Sequence, residues 1–100
     1  MSILINEGHH KFYVGKNETS PDAEITYTFV DAKTIDVNHT FVDPCLRGQG
    51  VAKQLFNAII KKAQDEDLKI IPSCSYVHAQ FEREPSLSHL KKNITRTVET

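Results

Sequence analysis

The hydrophobic pattern of this chain changes period at Asp43-Pro44. Before that point apolar and polar residues alternate, as in a half-buried strand; after it apolar residues recur at helical spacing. Glu24 to Val30 sets Ile25, Tyr27 and Phe29 against Glu24, Thr26 and Thr28, which predicts a strand. Lys33 to Val42 predicts a second. In ideal geometry Ile35, Val37, His39 and Phe41 share one face of it, and Asp36, Asn38 and Thr40 share the other. Asp31-Ala32 is short enough to join the two as a hairpin. Pro44 stops the second strand, because proline has no amide to give a ladder. From about Gln49 to about Asp65, Ala52, Leu55, Phe56, Ile59 and Ala63 form a helical stripe, with Lys53, Asn57, Lys61 and Gln64 largely opposite. Asp65-Glu66-Asp67 is a solvated break, and Leu68-Lys69-Ile70-Ile71 has strand length before Pro72. Strand, helix, strand in this order is a βαβ unit, which implies a parallel pair and a right-handed crossover.

The flanks complete the outline. His10 to Val14 reads as a strand, Gly15-Lys16-Asn17 as a turn, and Glu18 to Ala23 as a loop. Ser75 to Arg83 predicts a short helix with Val77 and Phe81 four apart, capped by Ser73 or Ser75 and ended by Pro85. The expected fold is α/β with a mixed sheet: an antiparallel meander, one βαβ crossover and a short C-terminal helix. With 100 residues it is read as a single domain, its core from about 10 to 90 and a polar tail over 91–100.

Composition narrows the function. A net charge of −1 gives no basic excess for nucleic acid. Apolar runs are a few residues long, too short to span a membrane. Met1 to Glu7 lacks the basic start and long apolar centre of a signal peptide. A cytoplasmic protein with two free thiols, Cys45 and Cys74, is the expectation. No zinc spacing, carboxylate dyad or nucleophile elbow is present, and His9-His10, in a mobile N-terminal stretch, is no convincing metal pair.

Chemistry concentrates after Pro44, in Arg47-Gly48-Gln49-Gly50-Val51-Ala52. The glycines are placed just before and inside the first helical turn, where glycine costs about 1 kcal/mol relative to alanine. Close approach of the backbone to an anion would explain them. The first amides of a helix lack internal partners, carry partial positive charge and can cradle a pyrophosphate. Arg47 adds a planar cationic fork. A glycine turn that merely lets strand and helix pack is the other reading of the same residues. A Walker loop is excluded, since no Gly-Lys-Ser/Thr follows.

Arg47-x-x-Gly50-x-Ala52 is similar to the acyl-CoA signature of the GNAT superfamily of N-acetyltransferases, Gln/Arg-x-x-Gly-x-Gly/Ala. His39-Thr40-Phe41-Val42 and the Pro-Cys-Leu-Arg lead-in also look like it. Ile71-Pro72-Ser73-Cys74-Ser75-Tyr76-Val77 resembles a strand end in a minimal GNAT-like branch, and the resemblance covers roughly residues 24 to 90. It implies a truncated GNAT-like fold, acetyl-CoA as co-substrate and an amine acceptor that the sequence does not identify. It also implies that the amides of Arg47, Gly48, Gln49, Gly50, Val51 and Ala52 take the pyrophosphate. The backbone at Phe41 and Val42 would pair with pantetheine, and the acetyl group would reach the splay between the strands ending at Val42 and near Pro72. Full-length GNAT enzymes close with a C-terminal hairpin that is missing here, which leaves an acyl-CoA-binding or sensing module without turnover as the rival reading.

Three residues are candidates for the transfer itself. Cys74 lies at a strand end and near a helix start, a position that favours thiolate; it can act as nucleophile, as a polar neighbour of the thioester, or simply as a buried small apolar group. His39 is a candidate general base or a hydrogen-bonded, half-buried histidine. Tyr76 is a candidate acid for the leaving thiolate, by resemblance to many GNAT enzymes. His78 follows Cys74 by four residues and reads as a surface histidine. Exposed strand edges on so small a chain allow a monomer or a weak homodimer.

Overall fold

The computed structural model describes residues 4–91. Five strands, β1 (Asn6–Gly8), β2 (Lys11–Val14), β3 (Ala23–Asp31), β4 (Thr34–Val42) and β5 (Lys69–Pro72), lie side by side in sequence order. All neighbours are antiparallel except β4 and β5, which are parallel and joined through helix α1 (Val51–Glu66). Helix α2 (Ser75–Arg83) follows β5, and 3-10 turns occupy Pro44–Leu46 and Pro85–Leu90. The mixed sheet, the crossover and the C-terminal helix are as the hydrophobic pattern predicts. The polar tail expected from residue 92 onward lies outside the described residues.

The helices gather on one face of the sheet. Ala23, Ile25 and Tyr27 of β3, Ile35 and Val37 of β4 and Ile70 of β5 are buried against Leu55, Phe56, Ile59 and Ala63 of α1. Phe56 meets Phe81 of α2 edge-on, with ring centroids 5.7 Å apart. The helical stripe is as expected from Leu55 to Ala63 and differs at its start: Val51 is buried, whereas Ala52 sits at a surface cleft.

Three expectations need correction. The hairpin turn is Ala32-Lys33, because β3 continues through Asp31, whose carboxylate accepts from the Lys33 amide at 2.8 Å. His9 and His10 are not a loose leader; they turn the chain between β1 and β2, their rings stacked at 4.5 Å. β1 itself escapes sequence reasoning because Asn6-Glu7-Gly8 offers no apolar alternation.

The third correction concerns β4. Thr26 pairs with His39 and Tyr27 with Val37, so Asn38 is the extra residue of a β-bulge. The bulge reverses the alternation. Ile35 and Val37 face the helices, and beyond the bulge Thr40 and Val42 take over that side. Asn38, His39 and Phe41 turn to the other face, where Thr26 Oγ1 donates to Asn38 Oδ1 at 2.8 Å. His39 and Phe41 therefore do not share the core face of Ile35 and Val37.

Candidate functional site

The last parallel pairing between β4 and β5 is Val37 with Pro72. The Cys74 amide then donates to the Val37 carbonyl at 2.9 Å, and the chain leaves for α2. β4 runs on alone on that side, from Asn38 to Val42. This is the parting of strands at which ligands settle in open α/β sheets.

The end of β4 leads into the glycine loop. Asp43 accepts from the Cys45 amide at 2.9 Å and so caps the Pro44–Leu46 turn. That amide bond, helped by the Cys45 side chain and by Arg47, holds the Asp43 carboxyl below its ordinary range. The same contact pushes the exposed Cys45 thiol up, since a carboxylate beside it disfavours the thiolate. Arg47 Nε donates to the Val42 carbonyl at 3.3 Å, which ties the loop to the strand end.

Gly48 and Gly50 have φ of 84° and 75°, the left-handed region that side chains disfavour. A Cβ built at either meets nothing within 4 Å. Backbone conformation, not crowding, therefore calls for glycine here. Both glycines precede the helix, Gly50 being its N-cap, so neither weakens the helix interior. Gly50 supplies no capping side chain, and the first helical bond recorded runs from the Gln54 amide to the Gly50 carbonyl. The amides of Val51, Ala52 and Lys53 thus begin the helix without side-chain caps.

These residues open onto a cleft of about 370 Å³. Val42, Leu46 and Tyr76 give it an apolar side, and Arg47 and Lys53 give it two cations; among the described residues lining it none is acidic. Gly48, Gly50, Val51 and Ala52 line it, whereas Gln49 and Phe41 do not. Gln49 turns its amide to the Cys45 carbonyl at 3.2 Å, and Phe41 faces the opposite side of the sheet. The donor set fits a diphosphate, and the apolar side fits an acyl-pantetheine arm.

Residues 11–90 match the profile of the GCN5-related N-acetyl-transferase family. The chain belongs to that family. Over 82 residues it is 33% identical to Protein NATD1 of Xenopus tropicalis, covering 82% of this chain and 75% of that protein. The solution structure of a GCN5-like protein from Staphylococcus aureus superposes with a TM-score of 0.76 at 40% identity, over 94% of this chain and 92% of the other. A GNAT acetyltransferase of Elizabethkingia anophelis, crystallised with acetyl-CoA bound, shares the fold at a TM-score of 0.52 and 18% identity, over 75% of this chain and 51% of its own.

Within this GNAT fold the three candidates for group transfer separate. Cys74 is the N-cap of α2, and its Sγ lies 3.2 Å from Thr40 Oγ1 inside the parting of β4 and β5. Neither Ser73 nor Ser75 caps that helix. Tyr76 lines the cleft; burial raises its phenol pKa, Arg83 opposes the rise, and the neighbouring Cys74 adds to it. Cys74 is thus near Tyr76 but is not itself among the residues lining the cleft. Nor is His39: its side chain is 56% exposed on the far face, with Nε2 3.9 Å from Glu24 Oε2. His78 is exposed, and its tie to Cys74 is a helical backbone bond. Sequence reasoning missed Thr40, which the bulge delivers to the thiol. It also missed Lys53, assigned to the solvent face but in fact a wall of the cleft.

Proposed function

We propose that this GNAT-family protein binds acetyl-CoA in the Arg47–Ala52 cleft and transfers the acetyl group to an amine. The observation that carries this reading is the uncapped start of α1, opening beside two cations into a cleft lined by Val42, the end of the β4 stretch that β5 leaves free. The diphosphate rests on the amides of Val51 and Ala52 and on Arg47. The pantetheine arm lies along β4 near Val42, and the thioester reaches Thr40 and Cys74.

Two routes serve the transfer. In the direct route the acceptor amine attacks the thioester carbonyl, a base or water takes the amine proton, and Tyr76 gives its proton to the departing CoA sulfur. His39 can serve as that base only toward an amine arriving from the face away from the cleft. In the covalent route the Cys74 thiol loses its proton, its sulfur bonds to the carbonyl carbon, and CoA leaves with a proton; the amine then attacks the Cys74 thioester and frees the thiol. The Thr40–Cys74 contact at 3.2 Å supports placing the thiol where either chemistry occurs.

Calorimetric titration with acetyl-CoA tests the binding; no heat and no thermal shift would remove this reading. Release of free CoA on adding one member of an amine panel separates an enzyme from a carrier or sensor without turnover. Rapid-quench mass spectrometry of protein with acetyl-CoA alone tests the covalent route. An acetyl adduct on the wild type that is absent from Cys74→Ala is expected if that route operates, and an unmodified protein under turnover conditions leaves the direct route.

A further inference from the structure

Lys53 sits at the third position of α1 and lines the glycine-loop cleft, yet its ammonium is already engaged. Nζ donates to Gln80 Oε1 at 2.9 Å and to Glu84 Oε2 at 3.2 Å, and it lies 5.6 Å from the centre of the Phe56 ring. Gln80 is only 6% exposed, so its oxygen has few other donors to turn to. Glu84 is half exposed, at 43% of its side chain, and terminates α2. Lys53 thus touches both the cleft at the start of α1 and the end of the helix that carries Tyr76.

A carboxylate and a diphosphate compete for the same ammonium. The two interactions differ in setting: the Glu84 pair is open to water and weak, whereas a ligand in the cleft adds the charge of two phosphates and the converging helix amides. Arg47 and Lys53 both line the cleft, one from the loop before α1 and one from its first turn.

On the reading of the cleft as a CoA site, we propose that Lys53 is a phosphate-binding residue and that Glu84 is an internal competitor for it. The ligand takes the ammonium from Glu84 while Gln80 keeps its end of the tether. Recognition of the diphosphate is thereby linked to the placement of α2.

Calorimetric titrations with CoA and with 4′-phosphopantetheine, at low and at high salt, test this on four proteins. Wild type is expected to bind CoA more tightly than phosphopantetheine. Lys53→Met should weaken CoA binding about tenfold, equivalent to about 1.4 kcal/mol, flatten its salt dependence, and affect phosphopantetheine less. Lys53→Arg should stay within about threefold of wild type, and Glu84→Gln should tighten CoA binding about twofold to threefold. A Lys53→Met protein that binds CoA as wild type does, an equal loss for both ligands with unchanged salt dependence, or a Glu84→Gln protein that binds more weakly would overturn the proposal while leaving the CoA site standing. Absence of CoA binding by wild type overturns the site itself. Should Lys53→Met fail to fold, Glu84→Gln and Lys53→Arg decide the matter on their own.

Discussion

The two ends of α1 open onto clefts of similar size, about 370 Å³ at the N-terminus and about 320 Å³ at the C-terminus. Their polar groups are treated in opposite ways. At the C-terminal end the chain satisfies itself: Asp67 adopts a left-handed conformation, and the Leu68 amide returns to the Ala63 carbonyl at 2.8 Å. The cations there are matched by carboxylates, Lys61 with Asp65 at 3.2 Å and Lys62 with Glu66 at 2.8 Å and Glu7 at 3.5 Å. At the N-terminal end Lys53 is shared with Gln80 and Glu84, but a glycine stands where a capping side chain would, and none of the described lining residues is acidic. A concave surface is therefore not enough to mark a site. Polarity left for another molecule to complete distinguishes the two hollows.

The comparison breaks most readily at Gly50. Gly50→Glu forces a side chain into a left-handed conformation and aims a carboxylate at the helix amides, so acetyl-CoA affinity should fall by more than about a hundredfold. Calorimetry reads this, and circular dichroism should show the fold retained at a stability lower by about 1–2 kcal/mol. Tyr76→Phe keeps the apolar wall and removes only the proton donor. It should lower kcat by roughly a hundredfold with acetyl-CoA affinity unchanged, and an unaffected kcat would remove Tyr76 from the reaction.

At the other end of α1 the expected change is in stability alone. Lys62→Met should lower unfolding free energy by about 1 kcal/mol in a urea titration and leave acetyl-CoA binding intact. The smallest effect lies in alkali. Burial raises the Tyr27 phenol pKa, with Lys62 opposing. Burial works against the Lys62 charge, but the Glu66 hydrogen bond, Tyr27 and Glu7 outweigh it and raise that pKa as well. Tyr76 is raised in the same direction. Raised folded values mean that stability is fully present below the ordinary values of about 10 and is lost as pH climbs through the folded ones. The melting temperature should decline above about pH 10, and less steeply in Tyr27→Phe.

Where the sequence was legible, local rules and tertiary packing agreed. Ile25, Tyr27, Ile35 and Val37 alternate and are buried, and the α2 boundaries follow from Val77, Phe81 and Pro85. The glycine loop was legible because two left-handed positions before a helix need glycine. His39 was not, because one extra residue in β4 has no composition of its own; Asn38 reads as any polar strand residue until its partner across the hairpin is known. Lys53 was not, because helical periodicity assigns a side and cannot tell solvent from a neighbouring helix. Its partners Gln80 and Glu84 are 27 and 31 positions away.

The bulge at Asn38 also sets how this strand can change with time. A strand works as a two-beat measure, and β4 contains one extra beat between its inner and outer halves. Losing that residue would restore plain alternation and leave Thr40 and Val42 still in phase with Val37. Flattening the bulge with every residue kept would instead put His39 and Phe41 in phase with Val37 and turn Thr40 and Val42 away from the thiol and the cleft. The facing of Thr40 and Val42 is held by their pairing with Ile25 and Ala23, not by the count of residues in β4.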